Sequence, residues 1–347
     1  MPHFAARARH QDHHADHSLG VSATIHVHQC RLHRRQFAQR LPDLRPVAAM
    51  KATLGSFAVY LPRDLVRQFL DAGTVPLLGC ERVPLTLLFS DIQAFTTISE
   101  NLDPMELTRV ISTYFEAVTR ELLGCGATID KYIGDAVMAF WNAPRRDPHH
   151  AAHGCEAVLR TRAVTQRLSA EFVARGWPAL PTRFGVHSGE AVVGNIGSSD
   201  RMPYTAMGGM VNLANRLEGL NKVYGTQILV SDTTRLAAGP RFVFRPIDVV
   251  VVKGTVSPMP IHELLGVIDP DAPAALQANE QDMEVQQAWG ACVAAYREGC
   301  FDAARAALAE VQCARRFPAA SVYAARLAAL GTAAPPEWSP VQRMTEK

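Results

Sequence analysis

Apolar positions recur along this chain with two periods, and each period marks a kind of element. VPLTLLFSDI (83–92) is a nearly unbroken apolar run entered through Pro84, which predicts a buried strand ending in a polar cluster. Asp103-Pro104 then supplies a helix N-cap and a first-turn proline. Leu107, Val110, Ile111, Tyr114, Phe115, Val118 and Leu122 follow at helical spacing up to Gly124. ATIDKYIGDAVMAFW (127–141) predicts two short strands joined by a Gly-Asp turn. Residues 147–175 predict a helix, with Ala157, Val158, Val164, Leu168 and Phe172 apolar. TRFGVHSGEAVVGNIG (182–197) reads as strand, glycine turn, strand. A helix over 210–224 closes at Gly225, and 227–232, 242–254 and 259–266 predict strands. Upstream, Leu61-Pro62 opens a short helix with Leu65, Val66, Phe69 and Leu70 on one side, ending at Gly73.

The order β-α-α-β-β-α-β, followed by further helices and strands, contains a split βαβ arrangement. The expected class is α+β: a ferredoxin-like βαββαβ, palm-type antiparallel sheet with helices burying their apolar stripes on one face. After DPDAPAA (269–275) the composition turns Ala-rich, with helical stretches across 280–330. There Trp289, Tyr296, Gly299, Phe301, Ala304 and Pro318 resemble one tetratricopeptide unit. A single repeat cannot bury its own apolar face, so it should dock on something or dimerise. A plain C-terminal helical hairpin packed on the preceding domain is the alternative. Four segments result: a His-rich extension (1–55), a helical linker (56–82), the sheet domain (83–267), and a linker with C-terminal helices (268–347).

Composition narrows the function classes. Lys and Arg number 35 against 33 Asp and Glu, a net charge of +2, which makes no electrostatic case for a nucleic-acid partner. No apolar run reaches about 18 residues, and the start lacks the apolar core of a secretory signal. The seven Cys are odd in number and form no CxxC pair, against a disulfide framework or a thiolate zinc site. A reduced, cytoplasmic chain is the expectation. Most of the 13 His crowd the first 50 residues, which is either a metal-binding tail or an extension without a fold.

Two aspartates carry the candidate chemistry. Asp91 follows LTLLFS and Asp135 follows DKYIG, both at strand ends. Carboxylates beside apolar strand interiors are costly unless a cation satisfies them. With no basic residue beside either in the sequence, the pair suits Mg²⁺ or Mn²⁺, which take oxygen ligands and keep positions for phosphate. Two solvated turn aspartates would be the plain reading of the same residues.

The resemblance becomes specific at FSDIQAFT (89–96), DKYIGDAVMAFW (130–141), FGVHSGEAVVGNIG (184–197), YTAMGGMVNLANRLE (204–218) and VKG (252–254). In order and spacing these resemble the class III nucleotidyl cyclases, the adenylate and guanylate cyclases, over about residues 83–266. The resemblance implies a head-to-tail dimer of catalytic domains with active sites at the interface. It implies that Asp91 and Asp135, with the carbonyl of Ile92, bind two Mg²⁺ or Mn²⁺ per site. Arg183 matches the arginine that meets the triphosphate from the same side. From the partner chain, Asn212 and Arg216 match the pair that steadies the transition state, and Lys253 the lysine on the terminal phosphates. Asn212 and Arg216 stand at i and i+4 and so project from one helix face.

Lys131 matches the purine-reading lysine of the adenylate cyclases, with Thr205 as the second reader. A lysine has three donors and no acceptor, so it suits unprotonated N1 of adenine and opposes the N1–H of guanine. A threonine hydroxyl can accept from the adenine amino group but can also donate, so it discriminates less than an aspartate. The implied function is therefore conversion of ATP to 3′,5′-cyclic AMP and pyrophosphate in signal transduction. The alternatives are a guanylate or mixed-specificity cyclase, or a non-catalytic nucleotide-binding scaffold with the C-terminal helices as a protein-binding surface. Two departures stand out: Ala94 replaces a glycine usual in the first motif, and Gly209 an Asp or Asn. An alanine in a turn that needs positive φ would be strained. Gly208-Gly209 continues into Met210-Val211, unlike the diguanylate cyclase signature.

Overall fold

The computed structural model describes residues 79–198, 202–253, 255–314, 318–332 and 334–344. The His-rich segment and the helix expected at Leu61–Gly73 lie outside the described residues. The chain runs β1 (Cys80–Ile92), α1 (Phe95–Asn101), α2 (Pro104–Gly124), β2 (Thr128–Ile133), β3 (Ala136–Trp141), α3 (His150–Ala174) and β4 (Thr182–Asn195). It continues through β5 (Tyr204–Met207), α4 (Gly209–Tyr224), β6 (Ile228–Ser231), α5 (Asp232–Ala238), β7 (Phe242–Val251) and β8 (Met259–Val267). Helices α6 (Glu280–Arg297), α7 (Phe301–Ala314) and α8 (Pro318–Ala328) and a short β9 (Gln342–Arg343) complete it.

The strands form one sheet in the order β2-β3-β1-β4-β6-β8-β7-β9, with β5 paired to β4. The first four neighbours pair antiparallel, which is the expected βαββαβ unit. Between the named strands, parallel pairing enters where β6 joins β4 and where β9 joins β7. Strand β1 is central and buried on both faces, which explains its unbroken apolar run. Leu88 and Ile92 join the core formed with Val110, Tyr114 and Val118 of α2 and Cys155 and Val158 of α3. Val83, Leu85, Leu87 and Phe89 face the other way, onto Tyr204 and Ala206 of β5 and Met210 and Ala214 of α4. Asp91 continues that second face to the strand's end.

The start of α2 follows its sequence signal: Asp103 caps the helix, accepting from Met105 N at 2.9 Å, with Pro104 in the first turn. The expected glycine turn within 182–197 is not there. Residues Thr182–Asn195 form one continuous strand paired to β1 along its whole length. Gly185 serves close approach instead: a Cβ there would sit 2.2 Å from Glu218 N and 2.4 Å from Ala214 O, so its absence lets α4 lie directly on the strand.

Helices α6–α8 do not stand apart. Trp289, Tyr296, Phe301 and Tyr323 share one core with Leu217, Leu220 and Tyr224 of α4 and Ile247 and Val250 of β7. Among the described residues no helix is long and apolar enough to cross a membrane.

Two buried histidines make the fold acid-sensitive. His187 in β4 sits 2.8 Å from Ser231 Oγ, and burial pushes its imidazole down to about 4. His262 in β8, 2.9 Å from Asp232 Oδ1, is pushed down to about 4 by burial first and Arg235 second. Both are neutral in the fold and take up a proton more readily when unfolded. Stability is therefore full above the unfolded value of about 6.5 and falls as pH drops toward 4, by up to roughly 3 kcal/mol per histidine. Urea midpoints should fall between pH 7.5 and 5, and His187→Gln should flatten part of that slope. Equal midpoints at the two pH values would refute the burial argument.

Candidate active site

Two clusters of polar side chains gather at the sheet. The first closes around the end of β1. The antiparallel register sets Asp91 opposite Arg183 and Ile92 opposite Thr182. Arg183 Nη2 donates to Asp91 Oδ2 at 2.9 Å. Asp135 occupies the turn between β2 and β3 that Gly134 makes possible at φ 64°. Its Oδ2 accepts from the backbone N–H of Ile92 at 3.0 Å. The expected carboxylate pair is thus assembled, with Ile92 between the two acids. The absence of a basic neighbour is corrected: Arg183 lies beside Asp91, placed there by a strand pairing that spans 92 positions of sequence.

Glu218 of α4 is a further member that sequence reading passed over. Its Oε1 lies 3.0 Å from Arg183 Nε, a charge contact without hydrogen-bond alignment. Burial, then the charge of Asp91, push the Glu218 carboxyl up to about 7 against the pull of Arg183. Burial also raises Asp135, and the negative charge of Asp91 raises it further. A divalent cation held by oxygen atoms would relieve that repulsion, so the donor set of Asp91, Asp135 and the Ile92 carbonyl fits Mg²⁺ or Mn²⁺.

The second cluster joins β2 to β5. Lys131 Nζ donates to Thr205 Oγ1 at 3.0 Å, although the two stand 74 positions apart. Thr205 Oγ1 donates to Asp130 Oδ2 at 2.7 Å, and Ala206 N donates to the same oxygen at 3.2 Å. Asp130 lies within the DKYIG motif, but its partners on β5 were not legible there.

Asn212, Arg216 and Lys253 join neither cluster among the described residues. Asn212 is exposed and Arg216 half-buried on α4, one turn apart, and Lys253 is exposed just beyond β7. Glu218 stands two positions after Arg216, roughly 200° around the helix, and is the face of α4 that turns to Arg183 and Asp91. The face bearing Asn212 and Arg216 therefore points away from the carboxylate pair of its own chain.

Ala94, three residues after Asp91, has φ 55° and ψ 30°, the left-handed region. An alanine there carries a Cβ clash that glycine lacks, costing about 1 kcal/mol. Ala94→Gly should raise the melting temperature by roughly 2–4 °C. A lower melting temperature would show that the turn is not strained. Gly209 opens α4 with open space around its Cβ position, so its departure from the motif has no steric cause.

An α+β sheet with carboxylates converging at the end of its central strand defines a palm-type catalytic domain. The sequence profile of the adenylate and guanylate cyclase catalytic domain matches residues 81–266, more than half of the chain, and the chain belongs to that family. It is 39% identical over 213 residues to Adenylate cyclase 1 of Rhizobium meliloti (strain 1021), covering 61% of this chain and 32% of that protein. It is 32% identical over 223 residues to an adenylate cyclase of Anabaena cylindrica, covering 62% and 44%. The matched stretch thus spans less than half the length of these curated relatives. Among solved structures, the guanylyl cyclase Cya2 is 32% identical with a TM-score of 0.54, covering 58% of this chain and 100% of that one. The adenylyl cyclase CyaB from P. aeruginosa is also 32% identical, with a TM-score of 0.53, covering 56% and 100%. Equal likeness to a guanylyl and an adenylyl cyclase leaves the choice of base to individual residues.

Proposed function

We propose that the chain cyclises ATP to 3′,5′-cyclic AMP and pyrophosphate at the interface of a head-to-tail homodimer. The observation that carries the choice of base is the contact of Lys131 with Thr205, which presents an ammonium and a hydroxyl side by side. Lys131 donates to adenine N1, and Thr205 accepts from the amino group. Asp91, Asp135 and the Ile92 carbonyl would hold two Mg²⁺ or Mn²⁺. Bound there, the cations lower the pKa of the ribose 3′-hydroxyl and offset the triphosphate charge.

The chain's own residues do the rest. Arg183, anchored by Glu218, turns from Asp91 to the triphosphate. Asn212 of a second copy orients the ribose, and Arg216 of that copy meets the charge that builds on the α-phosphoryl oxygens. Lys253 holds the terminal phosphates. The O3′–Pα bond forms as the bond from Pα to the bridging oxygen breaks, and pyrophosphate leaves in line. Support for the dimer comes from α4, whose Asn212–Arg216 face turns away from the carboxylates of its own chain.

The test is turnover of the purified chain with Mg²⁺ or Mn²⁺ and ATP or GTP, following cyclic product and pyrophosphate together. ATP should be preferred by at least about tenfold in kcat/KM, since a donor facing a donor in the base site costs at least about 1.4 kcal/mol. Equal use of GTP would overturn the base assignment. No product from either nucleotide, at concentrations where the dimer forms, would overturn the cyclase reading in favour of a binding scaffold.

A further inference from the structure

Asp130 sits in the proposed base-reading cluster but is itself buried. Its side chain has no exposed surface, whereas that of its neighbour Lys131 is 43% exposed. The pairing of β2 with β3 slips between Ile129 and Lys131, so Asp130 is the extra residue of a bulge. A bulge re-aims a side chain, and this one turns the carboxylate to β5. There it accepts from the Thr205 hydroxyl and from Ala206 N. Its other oxygen, Oδ1, lies 3.0 Å from Lys131 Nζ, again without hydrogen-bond alignment.

This arrangement decides what Thr205 can offer. A hydroxyl has one proton and two lone pairs. The proton goes to Asp130, and one lone pair receives Lys131. What remains is a lone pair, so toward a purine Thr205 is an acceptor only. An acceptor matches the 6-amino group of adenine and opposes the 6-oxo group of guanine. The ambiguity of a threonine reader is removed by a residue that never touches the base.

We propose that Asp130 is a specificity-determining positioning residue, which holds the Thr205 hydroxyl in its accepting orientation and so excludes 6-oxopurines. The proposal rests on the assignment of Lys131 and Thr205 as base readers. In Asp130→Ala the oxygen that takes the Thr205 proton is gone. The hydroxyl proton is then free to meet a guanine oxygen.

The experiment measures binding of 3′-deoxy-ATP and 3′-deoxy-GTP, which lack the attacking hydroxyl, to the full chain with Mg²⁺, and cyclisation of ATP and GTP in parallel. Wild type should favour the adenine nucleotide by at least about tenfold, the minimum that one mismatched buried hydrogen bond provides. Asp130→Ala should compress that ratio by about tenfold, chiefly through tighter guanine binding. Thr205→Val should compress it as far, and Asp130→Ala added to it should bring no further change. Equal weakening of both nucleotides in Asp130→Ala, or an unchanged ratio, would overturn the proposal, since a purely structural residue affects both bases alike. Asp130→Ser, also neutral and too short to reach Thr205, carries the same expectation if Asp130→Ala does not fold. Adenine-selective binding without any cyclic product would contradict the cyclase reading, while the Asp130→Ala ratio still decides the present one. Binding of neither nucleotide by wild type would overturn both.

Discussion

Asp91→Ala and Arg216→Ala should each lose cyclase activity by about 10³-fold or more, and an equimolar mixture of the two should recover about a quarter of the wild-type rate. The single losses follow from charge. In the proposed reaction Asp91 would share with Asp135 the holding of cations that offset the triphosphate charge and acidify the ribose 3′-hydroxyl, worth several kcal/mol of transition-state stabilisation. Arg216 is the group proposed to meet the charge that develops at phosphorus. The recovery follows from geometry. Glu218 binds the α4 helix to Arg183, and through it to Asp91, within one chain. That contact uses the face of α4 nearly opposite Arg216. In the proposed head-to-tail dimer one chain would therefore contribute its carboxylates to one site and its Arg216 to the other. In a two-fold dimer each of two sites then draws on both chains. Random mixing makes about half of the dimers heterodimers, and each of these has one intact site of two. A mixture that stays inactive, with both variants folded and dimeric, would place both residues in the same site of the same chain. Substantial turnover by Asp91→Ala alone would remove Asp91 from the cation site.

The parts of this design that were legible in the sequence are those made by neighbours. The Asp103-Pro104 cap, the Gly134-Asp135 turn and the apolar run of β1 are each contained within a few residues, and each formed as expected. What stayed hidden is made by register. Arg183 meets Asp91 only because β1 and β4 align over thirteen residue pairs. The same alignment keeps Thr182–Asn195 straight where its glycines suggested a turn. Gly185 carries no signal separating a turn from close helix approach, because the helix it admits begins 24 positions later. Strand β5 is four residues long and too short to show alternation, yet it carries Thr205 to Lys131. Asp130 and Glu218 stood inside recognisable motifs, and their roles emerged only with their partners.

The largest stability effect is expected at Asp248, where the C-terminal helices are tied to the catalytic sheet. Asp248 in β7 is 1% exposed. Its Oδ2 accepts from Tyr224 OH and from Arg326 Nη1, each at 2.6 Å, and its Oδ1 accepts from Val249 N at 2.8 Å. Tyr323 OH donates to the neighbouring carbonyl of Ile247 at 2.9 Å. Three elements thus meet at one carboxylate: β7, the last residue of α4, and α8. Asp248→Ala leaves the Arg326 charge largely buried without its partner, which costs about 3–5 kcal/mol. For a chain of this size the melting temperature should fall by roughly 10 °C. Arg326→Met should cost less, because it removes the charge instead of orphaning it, and Asp248→Ala/Arg326→Met should recover part of the loss. Activity should fall with the tie, since Tyr224 ends the helix that carries Asn212 and Arg216, about 18 and about 12 Å away at 1.5 Å per residue. A slackened α4 would misplace the groups proposed to act in the transition state, so kcat should drop more than KM rises. Unchanged melting in Asp248→Ala would mean that Trp289, Tyr296 and Tyr323 hold the helices by apolar contact alone, and that α4 is aligned without them.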